Sequence, residues 1–208
     1  LAGAPELDGR IVGNVVLSAI GARPPRFPRF EESNSAITLA GDGASIRIAD
    51  PGDNSPLDFD SGDSITLEAW VAPTRLANGE QMYVVGKGRT KNAGFAAENQ
   101  NYALRLSGDQ GRAAISFLFR NSRNRAGKQE DFHRWNSTTG FPVDGSWHHI
   151  VTTYTFGKSE SIRGYIDGKP VTGKWDYGGA TNDGPVVDND EISVVVSALT
   201  WLVPIDAT

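Results

Sequence analysis

Residues 64–71 read Ser-Ile-Thr-Leu-Glu-Ala-Trp-Val, and this alternation of apolar and polar side chains decides the fold class of the chain. The four apolar side chains that begin at Ile65 and end at Val71 fall on one face, as in a half-buried β-strand. No window shows the 3.6-residue period of an amphipathic helix. Similar short runs, separated by Gly, Asp and Asn, lie at 46–48, 83–85, 102–106, 114–119, 149–154 and 162–166. The pattern predicts an all-β protein.

The turn residues indicate how these strands are connected. Asp167-Gly168 separates the segments 164–166 and 169–171, and an Asp-Gly pair readily takes the positive φ angles of a tight hairpin turn. Many short strands joined in this way favour an antiparallel sandwich of two packed sheets. The chain has 208 residues and no Cys, so it is long enough to bury a core without crosslinks, and thiol nucleophiles and thiolate zinc sites are excluded.

Four segments, taken in order, resemble the laminin-G-like jelly-roll domains of the concanavalin A-like lectin/glucanase superfamily. They are Asp-Gly-Ala-Ser-Ile-Arg-Ile at 42–48, the strand 64–71, Val-Gly-Lys-Gly at 85–88 with Asn-Tyr-Ala-Leu-Arg at 101–105, and Gly-Ser-Trp-His-His-Ile-Val-Thr-Thr-Tyr at 145–154 followed by 164–171. The resemblance implies a jelly-roll β-sandwich with little helix. It also implies that Trp70 and Trp147 fill the core between the sheets.

The resemblance divides the chain into two parts of a single domain. We expect residues 1–36 to form an N-terminal strand and a Pro/Arg-rich arm packed on the body, and residues 37–208 to form the sandwich. In the arm, Pro-Pro-Arg-Phe-Pro at 24–28 is either a docking ligand for an aromatic groove or, as we favour, a covering segment whose Phe27 and Phe30 pack on the body.

The tail fits the family pattern in two ways. Residues 190–199 match either of the last two strands of the family pattern. If they form the earlier of the two, the closing strand is missing from this sequence, and a sheet edge stays open or is covered by residues 201–203.

A polar, aromatic segment follows a basic stretch and carries the candidate ligand site. Alternation places Asp131, His133 and Trp135 on one face, where an exposed indole among hydrogen-bonding groups suits a sugar; alternatively, Trp135 packs on the sandwich. Between residues 86 and 134 there are ten basic and four acidic side chains, which favours either a solvated loop or an anionic polysaccharide as partner. The candidate ligand-binding residues are Trp135, His133, Asp131, Arg120, Arg123 and Arg125.

Metal and catalytic chemistry are the remaining candidates. Related sandwiches often hold a structural calcium ion, and the resemblance implies that Asp42, Gly43 and Asp190 would bind it here. No other cofactor is expected. His148 and His149 are adjacent on a strand, so they face opposite ways and cannot share one metal. The glucanase branch needs a Glu-hydrophobic-Asp-x-x-Glu strand, which this sequence lacks, so we expect no enzymatic activity.

These observations predict a non-catalytic recognition module that binds a glycan or polysaccharide, or else a protein surface. We expect it to belong to a larger exported protein with an extracellular, periplasmic or cell-envelope location. The net charge of −5 argues against nucleic acid, and no run reaches the roughly 18 apolar residues of a membrane span. The alternatives are a structural or adhesive protein-interaction domain without a glycan ligand, and a divergent glycoside hydrolase.

Overall fold

Strands account for the regular structure of the chain. The computed structural model describes residues 7–39, 43–52, 55–88, 100–121, 132–184, 194–197 and 200–202, and within these ranges there is no α-helix. The strands are β1 (Gly9–Val12), β2 (Val15–Ile20), β3 (Ser35–Leu39), β4 (Ser45–Ile48), β5 (Ser64–Val71), β6 (Glu80–Lys87), β7 (Tyr102–Asp109), β8 (Arg112–Arg120), β9 (Phe132–Pro142), β10 (His148–Thr155), β11 (Lys158–Ile166), β12 (Lys169–Val171), β13 (Gly173–Tyr177), β14 (Val194–Ser197) and β15 (Thr200–Leu202).

The strands form two large antiparallel sheets and a separate hairpin. Within the described ranges, nine strands form one sheet in the order β1-β4-β14-β6-β7-β8-β9-β13, with β15 paired to β6. A second sheet has the order β12-β11-β10-β5, and β2 pairs with β3 alone. The prediction of an all-β, two-sheet antiparallel sandwich is confirmed.

The core lies between the two sheets, and strand alternation explains its composition. Along β10, residues from His148 to Tyr154 are buried at every second position, and the intervening side chains face outward. Ile150 of this strand meets Leu104, Ile115 and Phe141 of the nine-stranded sheet in one apolar cluster. A second cluster is mainly aromatic and comprises Ile65, Tyr102, Phe117, Phe119, Tyr154 and Phe156. Each of these side chains is almost completely removed from solvent, so packing between the layers stabilises the fold.

Two connections were predicted from turn residues and tail motifs. The Asp167-Gly168 hairpin is confirmed, with φ angles of +52° and +74° at its two positions. In the tail, β14 lies between β4 and β6, and β15 pairs with the first part of β6. The facing edges of β4 and β6 are therefore paired in this region of the sheet rather than open.

The N-terminal part adds one strand to the nine-stranded sheet and forms a separate hairpin with a long loop. β1 pairs with β4 at the edge of the nine-stranded sheet. Residues 21–34, which we call the arm, form the loop between β2 and β3. Because β3 spans Ser35–Leu39, the expected boundary between residues 36 and 37 falls within a strand.

Candidate functional site

An aromatic pair on the outer face of the four-stranded sheet is the base of the site. Trp70 of β5 and His149 of β10 are register partners, and their rings stack with centroids 5.1 Å apart and planes 26° apart. On β5 the alternate positions Ile65 and Leu67 pack into the core, so Trp70 faces away from it. The expectation that Trp70 fills the core is therefore wrong.

The arm closes one side of Trp70. The rings of Phe27 and Phe30 meet the Trp70 indole edge-on, with centroids 5.2 and 5.0 Å away. This is the covering arrangement that the sequence favours for the two phenylalanines. Trp70 nevertheless stays 38% exposed, which is a large exposure for an indole contacted by three rings.

Trp147 lies in the same region rather than in the core. It precedes β10, is half-buried, and lines an open cleft of about 430 Å³ together with Arg26, Phe27, Trp70, His149, Asp167 and Gly168. The expected core position of Trp147 is therefore also wrong, and the space between the sheets is filled by the two clusters described above. We call this space the aromatic cleft.

The Asp167-Gly168 turn supplies the polar wall of the aromatic cleft and is fixed to β10. The Asp167 N–H donates to the His149 carbonyl at 2.8 Å, and the His149 N–H donates to Asp167 Oδ1 at 2.9 Å. His148 Nδ1 lies 2.8 Å from Asp167 Oδ2. Because an ionised carboxylate only accepts hydrogen bonds, this contact places a proton on His148 Nδ1. Both oxygens of Asp167 are thus held in place.

The two adjacent histidines have different environments, as the alternation predicts. His148 is buried and stacks on Phe141 with centroids 4.4 Å apart. His149 is partly exposed in the aromatic cleft, with Nε2 3.6 Å from a carboxylate oxygen of Glu68. The prediction that they cannot share one metal agrees with this geometry.

The predicted ligand-binding residues on β9 point into the protein. Trp135 is 4% exposed and lies against Gly164 and Gly173; a Cβ atom at Gly164 would lie 2.7 Å from Trp135 Cη2. His133, on the same face, is also buried, stacks on Phe119 and bonds through Nδ1 to the Gly179 carbonyl at 2.8 Å. The shared face was expected, but it is the inner face. Of the two alternatives for Trp135, packing on the sandwich is therefore the one that holds, and Trp135 does not offer an exposed indole.

The basic candidates are only partly described. Arg120, at the end of β8, is buried with its guanidinium 5.5 Å from the centroid of the Phe132 ring. Asp131, Arg123 and Arg125 lie outside the described residues. Their part in ligand binding stays a prediction.

The calcium prediction also depends on residues outside the described ranges, namely Asp42 and Asp190. Gly43 is described and has a φ angle of +86°. Among the described side chains there is no group of three or more His, Asp or Glu residues placed to hold a metal ion. A calcium site that uses Asp42, Gly43 and Asp190 stays a prediction.

A buried ionic cluster, which sequence reasoning missed, lies apart from the aromatic cleft. The Lys87 ammonium is completely buried and pairs with the carboxylates of Asp50 and Asp58. Burial acts to raise the pKa of Asp50, but hydrogen bonds from Lys87, Gly52 and Ser55 hold that pKa below its ordinary value of 3.8. The cluster supplies each buried charge with a partner, and removing one partner would leave an uncompensated buried charge.

The aromatic cleft was missed because the resemblance assigned its two tryptophans to the core. A signal was present in the sequence, since the alternation within 64–71 already places Trp70 on the face opposite Ile65. The packing of Phe27 on the body was favoured from the sequence, but the contribution of Arg26 carried no comparable signal, because it depends on how the arm folds back.

Comparisons with known proteins place these features in context. No curated protein matches this chain. Two similar solved structures are an endo-β-1,4-glucuronan lyase from the fungus Trichoderma reesei and the carbohydrate recognition domain of Emp47p. The first has 10% identity and a TM-score of 0.48, covering 91% of this chain and 77% of that one. The second has 14% identity and a TM-score of 0.41, covering 94% of this chain and 96% of that one.

Within the part of the chain that the structure describes, no helix has the length and apolar character of a membrane span.

The family comparison is more direct. The Laminin_G_3 family model, described as concanavalin A-like lectin/glucanases superfamily, matches residues 40–190, and the observed sandwich agrees with it. That match covers well over half of the sequence, so the chain belongs to the concanavalin A-like lectin/glucanase superfamily.

Proposed function

We propose that this chain is a non-catalytic, carbohydrate-binding module of a larger exported protein, and that the aromatic cleft holds the sugar. The observation that carries the proposal is the partly exposed Trp70 indole among polar groups. A pyranose ring presents a face of C–H groups that packs on an indole, while its hydroxyls need hydrogen-bonding partners around the rim. The aromatic cleft offers both kinds of contact.

The polar groups of the cleft can donate and accept. Each oxygen of the Asp167 carboxylate accepts one bond within the protein, and a carboxylate has about four acceptor positions in all. Sugar hydroxyls can therefore donate to Asp167. Arg26 and the His149 ring supply donors on other parts of the lining.

The cleft is also pre-organised for binding. Trp70 and His149 lie on paired strands, and Asp167 is fixed to β10 through backbone and side-chain bonds. Groups that are ordered before binding lose little conformational freedom when a ligand arrives, which favours affinity. A volume of about 430 Å³ lies within the usual range for small-molecule sites.

The lining of the cleft also supports the proposal that the module is non-catalytic. Glycoside hydrolysis normally needs two carboxyl groups that flank the scissile bond. Of the described residues that line the cleft, Asp167 alone carries a carboxylate, and both its oxygens are engaged with β10. The carboxylate of Glu68 lies beside the cleft, where one of its oxygens is 3.6 Å from His149 Nε2. A divergent glycoside hydrolase is therefore the weaker alternative for this site.

A second candidate function is protein–protein adhesion without a glycan. It is favoured by exposed apolar side chains near the N-terminus, where Ile11, Val16, Leu17 and Ile20 are between 45% and 73% exposed. Exposed apolar side chains are typical of interaction surfaces when they form one patch.

The test is glycan-array screening, followed by calorimetry on the best neutral oligosaccharide. We expect Trp70→Ala to weaken binding about tenfold or more, since losing one stacked ring costs roughly 1.4 kcal/mol. Tyr177→Ala is the matched control, because it removes an aromatic side chain from β13 in the other sheet. Phe30→Ala checks whether the effect comes from the arm, since it removes a contact with Trp70 but keeps the indole.

Three results would contradict the proposal. They are the absence of binding to any glycan, equal effects of Trp70→Ala and Tyr177→Ala, and turnover of an oligosaccharide by the purified protein. The first would favour the adhesion alternative, and the last would favour an enzyme.

A further inference from the structure

The aromatic cleft contains one guanidinium, and the arm carries it. Arg26 is exposed, its Nη1 atom donates to the Ser146 hydroxyl at 3.2 Å, and its guanidinium carbon lies 5.4 Å from the centroid of the Phe27 ring. Among the described residues, no carboxylate oxygen lies within 4.0 Å of a guanidinium nitrogen of Arg26, the distance that defines an ion pair. Most of its donors are thus open to a ligand.

The carboxylates around Arg26 have other partners. Asp167 accepts from His148 and from the His149 N–H. Asp144 accepts from the Ser146 N–H at 2.9 Å, which is the main reason that its pKa lies below the ordinary value, and Arg26 adds only a minor attraction. Among the described residues, Arg26 therefore has no ion-pair partner, and the carboxylates of Asp167 and Asp144 are held by hydrogen bonds to other groups.

We propose that Arg26 makes the aromatic cleft selective for an acidic sugar, namely a uronic acid whose carboxylate pairs with the guanidinium while its ring packs on Trp70. This inference rests on the proposed function. The planar fork of a guanidinium matches a carboxylate through two parallel hydrogen bonds, and such pairs are roughly twice as strong as neutral ones. The Phe27 ring beneath the guanidinium restricts its orientation, so less freedom is lost on pairing.

The salt dependence of binding follows from the exposure of Arg26. An exposed ion pair is screened by salt, whereas packing of a sugar on an indole is not. Affinity for an acidic sugar should therefore fall as salt rises, and affinity for its neutral counterpart should change little.

The experiment uses calorimetry to compare tetrasaccharides in matched pairs. The pairs are tetrasaccharides of glucose and of glucuronate, of galactose and of galacturonate, and of galactose and of sulfated galactose. Titrations are made at about 50 mM and about 300 mM NaCl, which span a large change in screening length. The variants are Arg26→Ala and Arg26→Lys, and Arg29→Ala is the matched control. Arg29 is an exposed arginine of the same arm that does not line the cleft.

We expect the unmodified protein to prefer one of the uronates over its neutral counterpart by about tenfold at low salt, the equivalent of 1.4 kcal/mol. Arg26→Ala should abolish most of this preference, and Arg26→Lys should retain part of it because the charge remains but the fork is lost. Arg29→Ala should retain the preference.

Several results would overturn the inference while leaving the proposed function intact. These are equal affinity for neutral and acidic partners, equal losses in Arg26→Ala and Arg29→Ala, or stronger binding of the sulfated sugar than of either uronate. If none of the tetrasaccharides binds and the array is also negative, the proposed function fails together with this inference.

Discussion

Replacing Trp135 by alanine should unfold the protein at a much lower temperature. Trp135 is 4% exposed and fills the space beside two glycines of neighbouring strands, Gly164 and Gly173. Removing a buried tryptophan side chain typically costs about 3–5 kcal/mol, since the cavity is only partly closed by relaxation. For a chain of 208 residues, each kcal/mol lowers Tm by about 2–4 °C, so a decrease of roughly 6–20 °C is expected.

Thermal unfolding followed by circular dichroism, with urea titration as a second measurement, tests this expectation. Trp70→Ala is the matched control, because the same side chain is removed from a site that is 38% exposed, and its Tm should fall by much less. Sugar binding by Trp135→Ala, measured well below its Tm, should resemble that of the unmodified protein. A Tm within about 2 °C of the original would contradict the packing role, and lost binding with an unchanged melting curve would show that Trp135 is a ligand contact.

Three further predictions concern polar groups. Lys87→Met should reduce the free energy of unfolding by about 3–5 kcal/mol, because it leaves Asp50 and Asp58 without their buried counter-ion. The exposed control Lys169→Met should change this free energy little, and equal effects of the two variants would contradict a structural role for the cluster. Since the pKa of Asp50 is lowered by folding, the contribution of Asp50 to the free energy of unfolding is complete above pH 3.8 and is lost as the pH falls through the lower folded-state pKa. Urea titrations at several pH values should show this loss of stability in acid, and Asp50→Asn should make it smaller. Asp167→Ala should reduce the free energy of unfolding by about 1–3 kcal/mol, and Asp167→Asn should reduce it less, because asparagine tolerates the φ of +52° and keeps one acceptor oxygen. The reverse order in thermal melts would be inconsistent with the turn geometry.

The strands were predictable from the sequence because alternation is a local property. The period of two within 64–71 and 149–154 corresponds to β5 and β10, and Asp167-Gly168 forms the expected hairpin. The family match over residues 40–190 confirms the resemblance drawn from four short segments. Each of these inferences needed only neighbours in sequence.

The candidate site was harder to predict because alternation shows which side chains share a face but not which face is covered. Trp135 and His133 do share a face, yet Gly164 of β11, in the opposite sheet, lies against Trp135, so this face is the inner one. Trp70 was assigned to the core because of its place in a family motif, although its neighbours Ile65 and Leu67 point inward and it does not. The buried Lys87 could not be anticipated, since its two carboxylate partners come from segments distant in sequence.

The arm forms one wall of the aromatic cleft. Its hydrogen bonds are largely internal: Arg23 and Gly21 donate to the Asn34 carbonyl, and the Asn34 amide donates to the Ala22 carbonyl. Its polar and aromatic contacts with the sandwich, among the described residues, are two rings on Trp70 and one hydrogen bond to Ser146.

These few contacts fix where the arm lies on the sandwich. Because the arm is the loop of the β2–β3 hairpin, a partner that displaced this hairpin would change the width of the cleft and the position of its guanidinium together.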